Sequence, residues 1–229
     1  MPQFLSDSRS SRTLILLTLG ALVLAWCFLQ LCATGLGGWT ASFHDPVRRD
    51  AAISLLALAA LTPLCGCHVG FGSLKVGDND WVLIALLIAG LSLGYYSARC
   101  DRSGFLTLGG EPLRYVGLLL FLTGSVLRIL AIRTLGPRFT VWVAIQDEHE
   151  LVTDRLYRHL RHPSYTGAIL TLLGWAIVYR SAVGVVIAAA MGLLLISRID
   201  AEERLLLAQF PVAYAQYIER SWRLLPFVY

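Results

Sequence analysis

In "RIDAEERLL" (Arg198 to Leu206), Arg198 and Glu202 stand four residues apart, so on a helix they share one face. Both come directly after an apolar run, and ionised groups at such a border are candidates for function. The plainer alternative is a surface ion pair worth ~0.3–0.5 kcal/mol. Position alone leaves both open. Upstream, "RHPSYTG" (Arg161 to Gly167) sets a guanidinium, an imidazole and a phenol where a charged segment meets another apolar run. His162 can cap a helix end or sit at an interface, and it can also serve as a hydrogen-bond donor to an anion. Pro163 either stops one helix or starts the next at its first turn.

These groups need elements to hold them, and the composition says which. The chain has 229 residues, of which 56% are hydrophobic and only 15% charged. A soluble domain has about a quarter of its residues charged. The excess lies in blocks long enough to cross a bilayer, which takes roughly 20 apolar residues in a helix. Such blocks run from Thr13 to Ala33, Ala51 to Val69, Trp81 to Ala98 and Leu113 to Ile132. A longer one, Thr166 to Ser197, is broken at Arg180 and Ser181 and reads as two short helices in a tight hairpin. The expectation is an all-α integral membrane protein of about six transmembrane helices, one structural domain, with an amphipathic C-terminal helix. Residues 1–132 would supply the N-terminal helices and 133–229 the functional region. The first block is too long for the apolar core of a signal peptide and is read as an uncleaved helix.

With the N-terminus inside, the inner segments carry Arg9, Arg12, Lys75, Arg133, Arg138, Arg155, Arg158, Arg161, Arg198, Arg204, Arg220 and Arg223. The outer ones carry Arg48, Arg49, Arg99, Arg102, Arg114 and Arg180. This bias favours a cytoplasmic N-terminus and a cytoplasmic functional face. The net charge of +4 suits loops beside anionic lipid, and with no basic stripe interleaved with aromatics it calls for no nucleic acid. Cys65 and Cys67 before His68 lack a second ligand pair, so no metal site is expected. "GLGG" (Gly35 to Gly38) follows no strand and is no dinucleotide loop.

The segment Arg133 to Pro163 is the longest polar stretch, and a loop of that length in a compact protein is usually functional. "FTVWVAI" reads as extended or interfacial, "QDEHE" as a turn, and "TDRLYRHLRH" as a short helix with Thr153 or Asp154 at its N-cap.

Taken together, "HELV" (His149 to Val152), "LYRHLRHPSYTG" (Leu156 to Gly167), "RIDAEERLL" and "YAQYIERSWRLLPFVY" (Tyr214 to Tyr229) resemble, in order and spacing, the isoprenylcysteine carboxyl methyltransferase family of integral membrane enzymes. Relatives of that family include phospholipid N-methyltransferases and, more distantly, sterol reductases. The residues before Arg133 resemble nothing beyond membrane helices. The resemblance implies S-adenosyl-L-methionine as methyl donor and S-adenosyl-L-homocysteine as product, in a cytoplasmic pocket. It implies cofactor contacts from His149, Glu150, Leu151, Val152, Tyr157, His162, Pro163, Ser164, Tyr165 and Glu202. It places Arg198 at the carboxylate of a lipophilic, isoprenylcysteine-like acceptor, so that Arg198 and Glu202 are the expected catalytic pair. Arg155 stands where the family usually has Gly, and a Gln often found upstream is replaced around Ala144. A phospholipid amine methyltransferase, or a non-catalytic scaffold or transport-related protein of the same fold, would share much of this pattern. The physiological acceptor, the oligomeric state and the particular membrane stay open.

Overall fold

The computed structural model describes residues 44–64, 80–136 and 151–227, together with positions 27, 30, 31, 34, 35, 38, 40, 74, 75, 139, 144 and 145. The expected helix at Thr13 to Ala33 therefore lies almost wholly outside the described residues, as do Cys65, Cys67 and His68. Six helices can be followed in full. They are α1 (Pro46–Leu64), α2 (Asp80–Ser103), α3 (Glu111–Leu135), α4 (Pro163–Val178), α5 (Ala182–Gln209) and α6 (Pro211–Glu219). Two-residue strands β1 (Leu74–Lys75) and β2 (Ala144–Ile145) pair antiparallel, which brings the α1–α2 connection beside the α3–α4 connection. Arg155–Arg158 forms a single 3₁₀ turn.

Proline opens four of these helices, at Pro46, Pro112, Pro163 and Pro211, where its missing N–H costs nothing. Asp45 caps α1, its Oδ1 accepting from the backbone N–H groups of Val47 (3.0 Å) and Arg48 (3.2 Å). Ser181 caps α5 by accepting from the Gly184 N–H at 2.9 Å. The chain breaks at 179–181, at the Arg180–Ser181 interruption of the long apolar block. The second helix is not short, however: α5 runs 28 residues, through Arg198 and Glu202 to Gln209. The expected amphipathic C-terminal helix is thus mostly the last turns of α5, with α6 a separate nine-residue helix after Pro211. Nothing between Ser197 and Gln209 breaks a helix, which is why the element continues. Among the described residues, α2, α3 and α5 are long and apolar enough to cross a membrane, and α4 is a shorter apolar helix. Large apolar side chains such as Leu119, Val186 and Leu193 are exposed along them, as expected of lipid-facing positions.

Helices α3 and α4 pack at glycine contact points. A Cβ at Gly117 would lie 2.5 Å from the Val178 N, and one at Gly124 would lie 2.6 Å from both the Gly167 O and the Thr171 N. Small residues allow this backbone approach, which replaces the hydrophobic drive that lipid cannot supply. Phe121, Trp175 and Tyr179 stack alongside, with ring centroids 5.8 and 5.0 Å apart.

One end of the bundle is tied by a buried charge network. The Asp101 carboxylate, 3% exposed at the C-terminal end of α2, meets Arg48 of α1 (2.7 Å), Arg114 of α3 (2.8 Å) and Arg180 of the α4–α5 turn (3.5 Å). Glu111 bridges Arg114 and Arg180 at 2.9 and 3.5 Å, and Arg114 also donates to the Val178 carbonyl at 3.1 Å. Three of the six basic residues assigned to the outer segments thus converge on a single carboxylate. The groups that could do chemistry gather at the other end.

Candidate functional site

The site forms where α4 begins and α5 ends. His162 precedes α4 and Pro163 is its first residue, so the chain turns there and buries His162, Pro163 and Ser164 together. The imidazole does not cap the helix. Its Nε2 lies 3.1 Å from the Oε1 of Glu203, and its ring meets Tyr165 edge-on with centroids 5.7 Å apart.

Tyr165 is the centre of the arrangement. Its hydroxyl donates to the Glu202 Oε2 at 3.0 Å and accepts from the Arg198 Nε at 3.0 Å. The hydrogen-bonded path between Arg198 and Glu202 therefore runs through a phenol on another helix, where the sequence pointed to a pair one helical turn apart. Arg198 is buried, and Glu202 is half-buried and accepts no other hydrogen bond from the described residues.

Two further groups close the wall. Tyr157, in the 3₁₀ turn, is buried, and that burial, with Glu202 next in effect, pushes its phenol well above the ordinary range, so it stays a neutral donor. Arg128 of α3 donates to the Ser164 carbonyl at 3.2 Å, with the Ser164 Oγ at 3.5 Å. Leu151 and Val152 are half-buried in the irregular stretch before the turn and make none of these bonds. His149 and Glu150 lie outside the described residues. The N-cap position of the turn is Asp154, as expected, though its side chain makes no capping bond.

Behind the site, the C-terminal segment is zipped onto the α4 approach. The backbones at Leu160 and Trp222 form a parallel bridge, with Arg161 N–H to the Trp222 O at 2.7 Å and His162 N–H to the Arg223 O at 3.2 Å. Arg161 donates to the Glu203 Oε1 at 3.0 Å and to the carbonyls of Ile218 and Ser221. Arg223 reaches the Glu203 Oε2 at 3.0 Å and also pairs with Asp200. Tyr217 donates to the Tyr157 carbonyl, and Thr166 to the Leu224 carbonyl at 2.8 Å.

Sequence reasoning brought Tyr165, Arg198 and Glu202 together but missed Glu203, Arg223 and Arg128. Arg128 had a signal: it is a lone basic residue inside the apolar run Leu113 to Ile132. Glu203 had only its adjacency to Glu202.

This set combines carboxylate acceptors at Glu202 and Glu203 with donors at Arg128, Arg198 and Tyr157, so it can hold a small molecule that carries both a cationic and an anionic group.

Residues 116–208 match the isoprenylcysteine carboxyl methyltransferase family. That span holds Arg128, Tyr157, the His162 to Tyr165 turn and the Arg198 to Glu203 end of α5. Among curated relatives, a probable protein-S-isoprenylcysteine O-methyltransferase of Oryza sativa subsp. indica is 32% identical over 117 residues, 50% of this chain and 61% of that protein. Protein-S-isoprenylcysteine O-methyltransferase A of Arabidopsis thaliana is 35% identical over 115 residues, 49% of this chain and 58% of that protein. The chain thus spans about three-fifths of the length of these relatives. The solved eukaryotic intramembrane Ras methyltransferase is 19% identical and overlays with a TM-score of 0.49, covering 93% of this chain and 85% of that one. The family resemblance read from the sequence is borne out over the matched span.

Proposed function

We propose that this chain is a membrane-embedded methyltransferase that uses S-adenosyl-L-methionine to methylate the carboxylate of an isoprenylcysteine-like, lipophilic acceptor. The observation that carries the reading is the Arg198–Tyr165–Glu202 chain, a cation and an anion held on one phenol inside the matched family span.

The methyl donor supplies an electrophilic methyl on sulfur. The acceptor is already a carboxylate, so no general base is required. What the protein must supply is alignment and removal of the water that solvates the attacking oxygen. Arg198 suits the first task, because a planar guanidinium holds a carboxylate in a fixed fork. Tyr165 takes one Arg198 N–H and so limits the rotation of that fork. Glu202 serves the cationic side of the donor. Tyr157, His162, Pro163 and Ser164 form the buried floor, and Leu151 and Val152, with His149 and Glu150, complete the donor's surroundings in this reading. The exposed apolar faces of α2, α3 and α5 offer the acceptor's tail a route from lipid.

The same reading has about six spans, the N-terminus and the site on the cytoplasmic side, and residues 133–229 as the catalytic region. The gathering of Arg48, Arg114 and Arg180 at the end away from the site supports the alternation of ends. Calorimetry of the detergent-solubilised protein with S-adenosylhomocysteine, followed by labelled-methyl transfer to prenyl-cysteine and to phosphatidylethanolamine, tests it. Binding with transfer to prenyl-cysteine is expected. Transfer to phosphatidylethanolamine alone would make it an amine methyltransferase, and no binding would leave the non-catalytic alternative.

A further inference from the structure

Glu203 lies next to the proposed catalytic pair but faces a different set of partners. Its Oε1 receives His162 at 3.1 Å and Arg161 at 3.0 Å, and its Oε2 receives Arg223 at 3.0 Å. An ionised carboxylate can only accept, so the imidazole nitrogen facing it must carry a proton. His162 is 4% exposed as a whole, and its other ring nitrogen, Nδ1, makes no hydrogen bond among the described residues and is not one of the fully enclosed polar atoms, so it borders accessible space. A ring nitrogen at an accessible surface with no internal partner can bond water or a ligand. Two guanidinium groups from separate segments hold Glu203, so it cannot swing away from the ring.

We propose that Glu203 is a positioning residue for this site: by accepting the Nε2 proton of His162 it fixes the imidazole so that Nδ1 is the ring atom presented to the methyl donor. The inference rests on the methyltransferase reading and deepens it. The hydrogen bond at one ring nitrogen sets what the other can do, as it does for histidines at metal and acid–base sites. The ring so fixed also abuts Tyr165, and through it the Arg198–Glu202 chain. The competing view is that Glu203 merely latches the C-terminal segment through Arg161 and Arg223.

Two measurements decide between them. In protein labelled with ¹⁵N-histidine, the five histidines are few enough for His162 to be assigned by its loss in His162→Gln. A protonated Nε2, and an Nδ1 resonance that moves when S-adenosylhomocysteine is added, are expected. A bare Nε2, or an Nδ1 indifferent to the ligand, overturns the proposal, and this measurement needs only the wild-type fold. Calorimetry then closes a cycle. Glu203→Gln should weaken S-adenosylhomocysteine binding about 10- to 100-fold, the worth of a hydrogen bond to a charged group. In a His162→Ala background the same change should cost no more than about twofold, the scatter of independent changes. An equal cost in both backgrounds makes Glu203 a latch and nothing more. A wild-type protein that binds no S-adenosylhomocysteine overturns the methyltransferase reading itself, whereas binding with additive costs overturns only the role of Glu203.

Discussion

Replacing Tyr165 with Phe removes one oxygen from the centre of the site and keeps the ring that meets His162. The oxygen makes two hydrogen bonds of 3.0 Å, both to ionised groups. Arg198 is only 8% exposed, so water replaces its lost partner poorly, while half-buried Glu202 recovers more readily. The expected loss is therefore near one full charge-assisted hydrogen bond, ~1.5–3 kcal/mol, and not two. If that loss falls on the alignment of the acceptor, kcat/KM drops about 10- to 100-fold. Global stability should fall by no more than that same ~1.5–3 kcal/mol, because the bonds are already made in the ligand-free fold while the phenyl ring still fills its place. The assay pairs labelled-methyl transfer to prenyl-cysteine with thermal unfolding in the same detergent. A Phe variant that turns over at the wild-type rate would refute the claim that the phenol organises Arg198. A variant that simply unfolds would show that the hydroxyl's contribution is to the fold.

Other expectations concern the frame. Asp101→Asn leaves buried Arg114 and half-buried Arg48 and Arg180 facing Asp45 and Glu111 alone, and should cost ~3–5 kcal/mol in denaturant unfolding, the range for breaking a buried pair such as Asp101–Arg114; an unchanged midpoint would mean the network is not what ties that end of the bundle. At Gly124 an added side chain meets backbone atoms that cannot give way, so Gly124→Val should cost at least ~1–3 kcal/mol, whereas Gly192→Ala, with open space around it, should be neutral or slightly stabilising; equal effects would contradict the glycine-mediated packing of α3 on α4. In a cysteine-free background, a cysteine at exposed Asp154 should label only from the cytoplasmic side and one at exposed Phe105 only from the opposite side, and the reverse pattern would invert the topology.

The elements of this chain were easier to read than their meetings. Apolar runs of helical length reveal α2, α3 and the block that becomes α4 and α5, and Arg180–Ser181 marks the break between them. Proline at 163 carries the turn that buries His162. The continuation of α5 past Ser197 is hidden in the sequence because a change from apolar to charged composition looks like an element boundary, while helix propensity does not change there. Pairings between distant segments left no such mark: nothing in the sequence matches Asp101 to Arg180, or Gly124 to Gly167. The site was legible where chemistry-bearing residues share a motif, as in Arg198 and Glu202. The resemblance named Tyr165, but its bonds to Arg198 and Glu202 on another helix were not legible, nor was the split by which one of two adjacent glutamates meets Tyr165 and the other a set of arginines. The backbone of Arg155 adopts φ +50°, a conformation that glycine takes without strain, and nothing in the charge pattern of the sequence announces it.

Arg198→Ala tests the central claim most directly, with S-adenosylhomocysteine affinity and methyl transfer to prenyl-cysteine measured on one preparation. The account predicts that affinity survives while turnover falls on the order of a hundredfold or more, the loss expected when a positioning contact at the reacting centre is removed. Arg198→Lys should recover only part of it, because an ammonium cannot reproduce the planar fork. Wild-type turnover in Arg198→Ala would contradict carboxylate methylation by this protein.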